Sequence, residues 1–144
     1  MINYKTIPNK YVRKAIWNAL NGMVVNGVNL SVSDFRIPVE RAPKLYLLME
    51  SQTATPAKTK CQYDWECTIG LELINQEPRT GNGGSRVLVN DAANMVVAAF
   101  NSNLVLEGGL TVVTQNIQLG NDSVVIADTF TVNAMPMLAS FYIV

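Results

Sequence analysis

The stretch that decides the fold runs from Cys61 to Ile74 and reads CQYDWECTIGLELI. Apolar or aromatic residues occupy every second position from Cys61 to Leu73, and polar residues or glycine lie between them. This period of two is typical of a β-strand, whose successive side chains point to opposite faces, and a helix does not produce it. The sequence therefore predicts one strand of about 14 residues, well above the usual five or six. At roughly 3.4 Å per residue such a strand spans about 45 Å, so one end should project from a domain of this size.

Helices are predicted on both sides of this strand, because apolar residues recur there at three- and four-residue spacing. The first covers residues 9–21, and the second runs from Ser85 to about Ser102. The expected buried positions of the second helix are Leu88, Ala92, Met95, Val96, Ala99 and Phe100.

The rest of the chain reads as strands and connections. Asn26-Gly27 predicts a small hairpin within Met23 to Leu30, because both residues tolerate positive φ. Further strands are expected at Lys44 to Glu50, Leu110 to Leu119, 123–132 and Met137 to Val144, with a loop at Ser51 to Thr59 and Pro136 marking a strand start or a bulge. This order predicts an α+β fold: a mainly antiparallel sheet with two helices packed on one face and a long projecting β-hairpin. We expect residues 1–144 to form a single domain.

Composition narrows the function classes. Hydrophobic residues make up 49% of the chain and charged residues 15%, which suits a packed core and surfaces that neighbouring subunits cover. The net charge of zero argues against a protein that grips DNA through its phosphates. No apolar run reaches 18 residues and Met1 to Lys5 lacks a hydrophobic signal core, so we expect no membrane association and assembly in a cytoplasm.

The chain contains no histidine, which removes the commonest general base and the partner of most Ser and Cys nucleophiles. Cys61 and Cys67 would lie about 20 Å apart along an extended strand, too far for a disulfide, so both are expected to be reduced and core-facing. We predict no catalytic, cofactor-binding or metal-binding residues and no enzymatic activity.

Three carboxylates, Asp64, Glu66 and Glu72, share one face of the predicted long strand. They are open to three interpretations. They can form an acid–base or metal-binding pair, a solvated strand face whose charges resist aggregation, or a surface that faces the lumen of a ring or a subunit seam.

Two loops are candidates for contacts between subunits. Gln52 and Thr53 lie in the first, and Arg79 and Arg86 flank the second, which contains Gly81-Asn82-Gly83-Gly84. The glycine run superficially resembles a phosphate loop, but it lacks the lysine of that motif, so a hinge is the favoured interpretation.

The order of elements resembles the tail-terminator (tail-completion, or minor-tail) family of long-tailed bacteriophages. The resemblance covers nearly the whole chain and rests on pattern, not on an invariant motif. It is carried by Ile16 to Leu20, Ala42-Pro43 before Lys44 to Leu48, Ser51 to Thr55, Cys61 to Ile74, Asp91 to Val96, Thr111 to Leu119 and Met137 to Val144. Met135-Pro136-Met137 and a long connection at 120–134 depart from the family pattern, which leaves open a terminator or an adjacent neck ring.

The resemblance implies a structural virion protein at the head–tail neck. Members form rings, so it implies a homo-oligomer with sixfold symmetry favoured and twelvefold possible, in contact with other neck and tail-tube proteins. DNA would pass through such a ring without specific binding. The alternative is a small cytoplasmic binding module that acts as a monomer or dimer.

Overall fold

The computed structural model describes residues 6–38, 40–58, 63–78, 86–126 and 129–144. Within these ranges the elements are α1 Asn9–Leu20, β1 Val24–Val25, β2 Val28–Asn29, β3 Ser31–Ser33, β4 Leu45–Lys58, β5 Tyr63–Pro78, α2 Arg86–Ala99, β6 Val112–Leu119, β7 Ser123–Ile126 and β8 Phe130–Ile143. The main sheet has the order β3-β4-β5-β8-β6, and β7 also pairs with β8. All its described pairs are antiparallel except β3–β4. The predicted α+β class with a mainly antiparallel sheet is confirmed.

The alternation in β5 divides the sheet into two faces. Trp65, Cys67, Ile69, Leu71 and Leu73 are all buried on the inner face. Both helices contribute side chains to the same core cluster as these residues, so they pack on one face as predicted. They bury Val12, Ala15, Ile16 and Leu20 from α1, and Leu88, Val89, Ala92, Ala93 and Val96 from α2.

The buried stripe of α2 differs from the prediction at four positions, one of which is Ala99, predicted to be buried and only half-buried. Met95 is 37% exposed, whereas Val89 and Ala93 are buried. The helix is rotated toward its small residues, because alanine and valine allow its backbone to approach the sheet closely. The predicted start of the helix, Ser85, lies outside the described residues.

The hairpin at Asn26-Gly27 is confirmed. β1 and β2 pair antiparallel, with Val25 opposite Val28. Asn26 and Gly27 have φ values of 50° and 79°, as a two-residue turn with positive φ requires.

The loop prediction for residues 51–59 is wrong, because β4 continues to Lys58 and stays paired with β5. A register shift between Met49 and Gln52 lets the strand bend and then resume pairing. Beyond it, the Thr53 and Thr68 hydroxyls lie 2.6 Å apart across the two strands. The threonines and Pro56 resemble loop sequence, but the long partner strand β5 offers a ladder to pair with. The tip of this hairpin, residues 59–62, lies outside the described residues.

The outer face of the sheet is covered at one end only. Tyr46, Leu48 and Ile74 form a second buried cluster there, with Ile37 and Ala42 from the irregular connection packed against it. At the other end no described element covers the sheet, so that part of the outer face lies open.

Pro136 lies inside β8 and does not begin it. The residues opposite it explain why the strand tolerates a proline. Leu119 pairs with Met137 and Ser123 with Ala134. The three residues 120–122, between β6 and β7, therefore lie opposite only two residues of β8, Met135 and Pro136, which is a bulge. Gly120 donates its N–H to the Pro136 carbonyl at 2.8 Å, and a Cβ at Gly120 would come within 2.7 Å of the proline ring. The stretch at 120–134 is therefore a bulged β-hairpin and not a long connection.

Candidate functional site

We call the uncovered part of the outer sheet surface the open face. Its residues form two rows across β4, β5, β8 and β6: Thr53, Thr68, Ser140 and Asn116, then Thr55, Glu66, Tyr142 and Thr114. Seven of these eight side chains are uncharged hydroxyls or amides, and Glu66 is the exception. Such a polar surface stays hydrated, and these eight residues include no cation that could bind phosphates.

Asp64 shares the face of β5 with Glu66 but is only 4% exposed. The Tyr142 hydroxyl donates a hydrogen bond to its carboxylate. That bond, reinforced by burial, raises the pKa of Tyr142 above its ordinary value. Asp64 therefore contributes a buried link between β5 and β8, and it is not part of a solvated strand face.

Glu72 lies at the other end of the same face. It forms an ion pair with Arg36 at 3.1 Å, and its side chain is only 21% exposed. Along the strand Asp64 and Glu72 are about 27 Å apart, so the three carboxylates form no single cluster. In the part of the chain that the structure describes, no group of three or more Asp, Glu, Cys or His residues could hold a metal ion.

Gln52, predicted at a subunit contact, lies in β4 and points into a network below the sheet. Its amide donates to the Cys67 thiol at 3.1 Å and accepts from the Arg13 guanidinium at 3.1 Å. Arg13 also contacts Asp34 at 2.8 Å and donates to the Glu50 carbonyl. That carbonyl lies in the register shift of β4, where a ladder partner is missing, so Arg13 satisfies the bulge from α1.

The other predicted contact residues are dispersed. Thr53 lies on the open face, and Arg86 begins α2 with an exposed side chain. Arg79 and the glycine run at 81–84 lie outside the described residues.

We expect the Cys67 thiol to label slowly in the native protein. It is 1% exposed, and burial raises its pKa, with partial compensation from the Gln52 hydrogen bond and Arg13. Cys61, the other cysteine of the chain, lies outside the described residues, so a Cys61→Ser background leaves Cys67 as the one thiol to be labelled. Thiol labelling near pH 8 should be at least about 100-fold slower than in denaturant, because the reactive thiolate is both scarce and shielded. Equal native and denatured rates would contradict the inward register of β5.

Sequence reasoning missed Thr55, Thr114, Ser140 and Tyr142 as parts of the open face. Each is unremarkable in its own segment, and the surface exists only after β4, β5, β8 and β6 are aligned. The one local signal is the polar alternation of β6 at Thr114, Asn116 and Gln118. None of the described helices is long and apolar enough to cross a membrane.

Comparison with known proteins finds a likeness at the level of structure and not of sequence. No protein-family profile matches the chain, and no curated protein matches it by sequence. Among solved structures, it is similar to a chain from the "Virion of native gene transfer agent (GTA) particle", with a TM-score of 0.59 and 12% sequence identity. The match covers 93% of this chain and 96% of that chain, so the two share a fold over nearly their whole length.

Proposed function

We propose that this chain is a structural protein of a phage-like virion, without enzymatic activity. The observation that carries the proposal is the fold shared with a virion-particle chain over 93% of its length. Because the match covers nearly all of both chains, it favours two versions of the same whole domain over a shared small substructure. The element order of the tail-terminator family points in the same direction.

More finely, we propose a tail-terminator or tail-completion subunit that forms a ring at the head–tail neck. Sixfold symmetry is favoured and twelvefold is possible, with neck and tail-tube proteins as neighbours. The arrangement of layers supports a ring, because the helices cover one sheet face and leave a polar face uncovered. In a ring with the helices outside, the open face would line the central channel.

Electron microscopy of the purified chain tests the ring. We expect negatively stained particles with a central channel and one rotational symmetry in end-on class averages. Compact particles without a channel, at every concentration examined, would overturn the ring and favour the small binding module.

The channel assignment predicts a charge effect at Glu66. Glu66→Lys would place one added cation per subunit in the channel, close to passing phosphates. Rings of this variant should bind DNA at low salt at least about tenfold more tightly than the unchanged protein, and should lose that gain as salt rises. Fluorescence anisotropy with labelled DNA measures both effects.

Glu107→Lys is the matched control, since Glu107 is exposed and pairs with Lys14 of α1 on the helix side of the sheet. It makes the same charge change and should leave DNA affinity unchanged within about twofold. Equal gains from the two variants, or no measurable affinity of Glu66→Lys rings, would remove the channel assignment.

A further inference from the structure

We propose that neighbouring copies join edge to edge, with β6 of one copy pairing antiparallel with residues 52–56 of β4 of the next copy at the same height. This inference rests on the proposed ring and names the surface that closes it.

The sheet has two free edges at the same level. β3 pairs with β4 only at Tyr46 to Leu48, and beyond that point no described strand lies on the outer side of β4. On the opposite side β6 is the last described strand. The row through Thr53, Thr68, Ser140 and Asn116 shows that the free part of β4 and the strand β6 lie at the same level along the strand direction.

Symmetry then fixes how the edges meet. A closed ring is generated by rotation without translation along the axis. If that axis runs along the strands, equivalent residues of all copies lie at the same height, which is the position measured along the axis. β4 and β6 run in opposite directions, because three successive antiparallel pairings separate them. Joining them extends the sheet with the antiparallel ladder, the stronger of the two kinds.

The hydrogen-bonding groups of the two edges are complementary at this height. Thr111 and Val144 exchange both backbone hydrogen bonds, and Gly120 donates to Pro136. By alternation, Asn116 bonds toward β8 and Gln115 points its backbone outward. The Gln76 N–H donates to the Lys44 carbonyl, so by alternation along β5 the backbone of Thr68 also bonds to β4. Its partner after the register shift is Thr53, which leaves the backbone of Ala54 and Pro56 turned outward from β4.

Pro56 is the position where the β4 edge has no N–H to give. It lies at the height of Val112, through its pairing with Trp65 and that of Trp65 with Ile143. There the Asn103 amide already donates to the carbonyls of Val112 and Val113, at 3.1 and 3.3 Å. Pro56 of β4, which has no N–H, would therefore lie opposite carbonyls of β6 that already accept hydrogen bonds from Asn103 and need no donor from β4.

Each edge carries only one of the usual interruptions to pairing, which are Pro56 in β4 and a register shift between Val112 and Thr114 in β6. Residues 112–119 contain no charged residue and no proline, and Val113 and Leu119 are 47% and 49% exposed. Residues 51–57 of β4 also contain no charge, and Pro56 is their one interruption. Edge strands that stay free are normally protected by lysine, proline or bulges along their length, so a second copy of this chain is the fitting occupant.

A disulfide between copies tests the inference. Thr53→Cys together with Asn116→Cys, in a Cys61→Ser background, places the two thiols directly opposite each other across the joint. Each of these residues bonds inward, so the pair is of the narrow type, with Cα atoms about 4.5 Å apart, which suits a disulfide. Within one chain the same residues are separated by three strand spacings, about 14 Å, so an internal bridge is excluded.

Oxidation of this variant should give a ladder of covalent multimers on a non-reducing denaturing gel. The control, Thr55→Cys with Asn116→Cys, offsets the pair by two residues and should give less than about a tenth as much product. A ladder from the control pair alone would overturn the same-height register. No ladder from either pair, in a protein that forms rings by microscopy, would overturn the edge joint while leaving the ring intact. No ladder and no ring would overturn both.

Discussion

Leu73→Ala should destabilise the protein by about 3 kcal/mol, whereas Leu138→Ala should cost less than about 1 kcal/mol. Leu73 lies on the inner face of β5 and is fully buried under the helices, so its removal leaves a cavity in the main core. Leu138 lies on the outer face of the neighbouring strand β8 and is 41% exposed. The same chemical change on adjacent strands thus differs only in the face it affects.

Urea denaturation followed by circular dichroism measures both variants, at a concentration low enough to keep the chain monomeric. Equal losses of unfolding free energy would contradict the division of the sheet into a helix-covered face and an open face. A larger loss from Leu138→Ala would reverse that division.

Gly108→Ala should be markedly more destabilising than Gly109→Ala, although both glycines have a φ of 73°. An alanine in this left-handed region costs about 1–2 kcal/mol at either position. At Gly109 the added methyl group meets nothing within 4 Å, but at Gly108 it would come within 2.7 Å of the Tyr11 ring. We therefore expect Gly108→Ala to cost about 1–3 kcal/mol more than its neighbour.

Comparing the two glycine variants tests whether the turn at Gly108 packs against α1. The Gly108 turn packs against Tyr11, and the preceding Glu107 pairs with Lys14 of the same helix at 2.9 Å. In a Tyr11→Ala background the cost of Gly108→Ala should fall to that of Gly109→Ala, because the overlap is gone. An unchanged difference in that background would show that Tyr11 is not the cause.

The parts of the fold that the sequence predicted correctly are those with a strong local signal. Five alternating apolar positions from Trp65 to Leu73 show the two faces of β5, and Asn26-Gly27 sets the first hairpin, because period and turn chemistry act between residues close in sequence. The two helices and their common face follow from apolar spacing in the same way.

The errors fall where a distant partner decides the structure. Residues 51–58 look like a loop until β5 pairs with them, and the stretch at 120–134 looks like a long connection until β7 is seen to pair with β8. The burial of Asp64 could not be predicted, because its hydrogen-bond partner, Tyr142, is 78 residues away. The two free edges have no sequence signature of their own, since an edge is defined by the strands that do not pair with it.

Native mass spectrometry of the purified chain, measured over a dilution series, tests the central claim most directly. The ring account predicts one dominant closed assembly, six or twelve times the 15.8 kDa chain, that dissociates to monomers without populated odd intermediates. A chain that remains a monomer or dimer at all concentrations would contradict a ring-forming virion subunit.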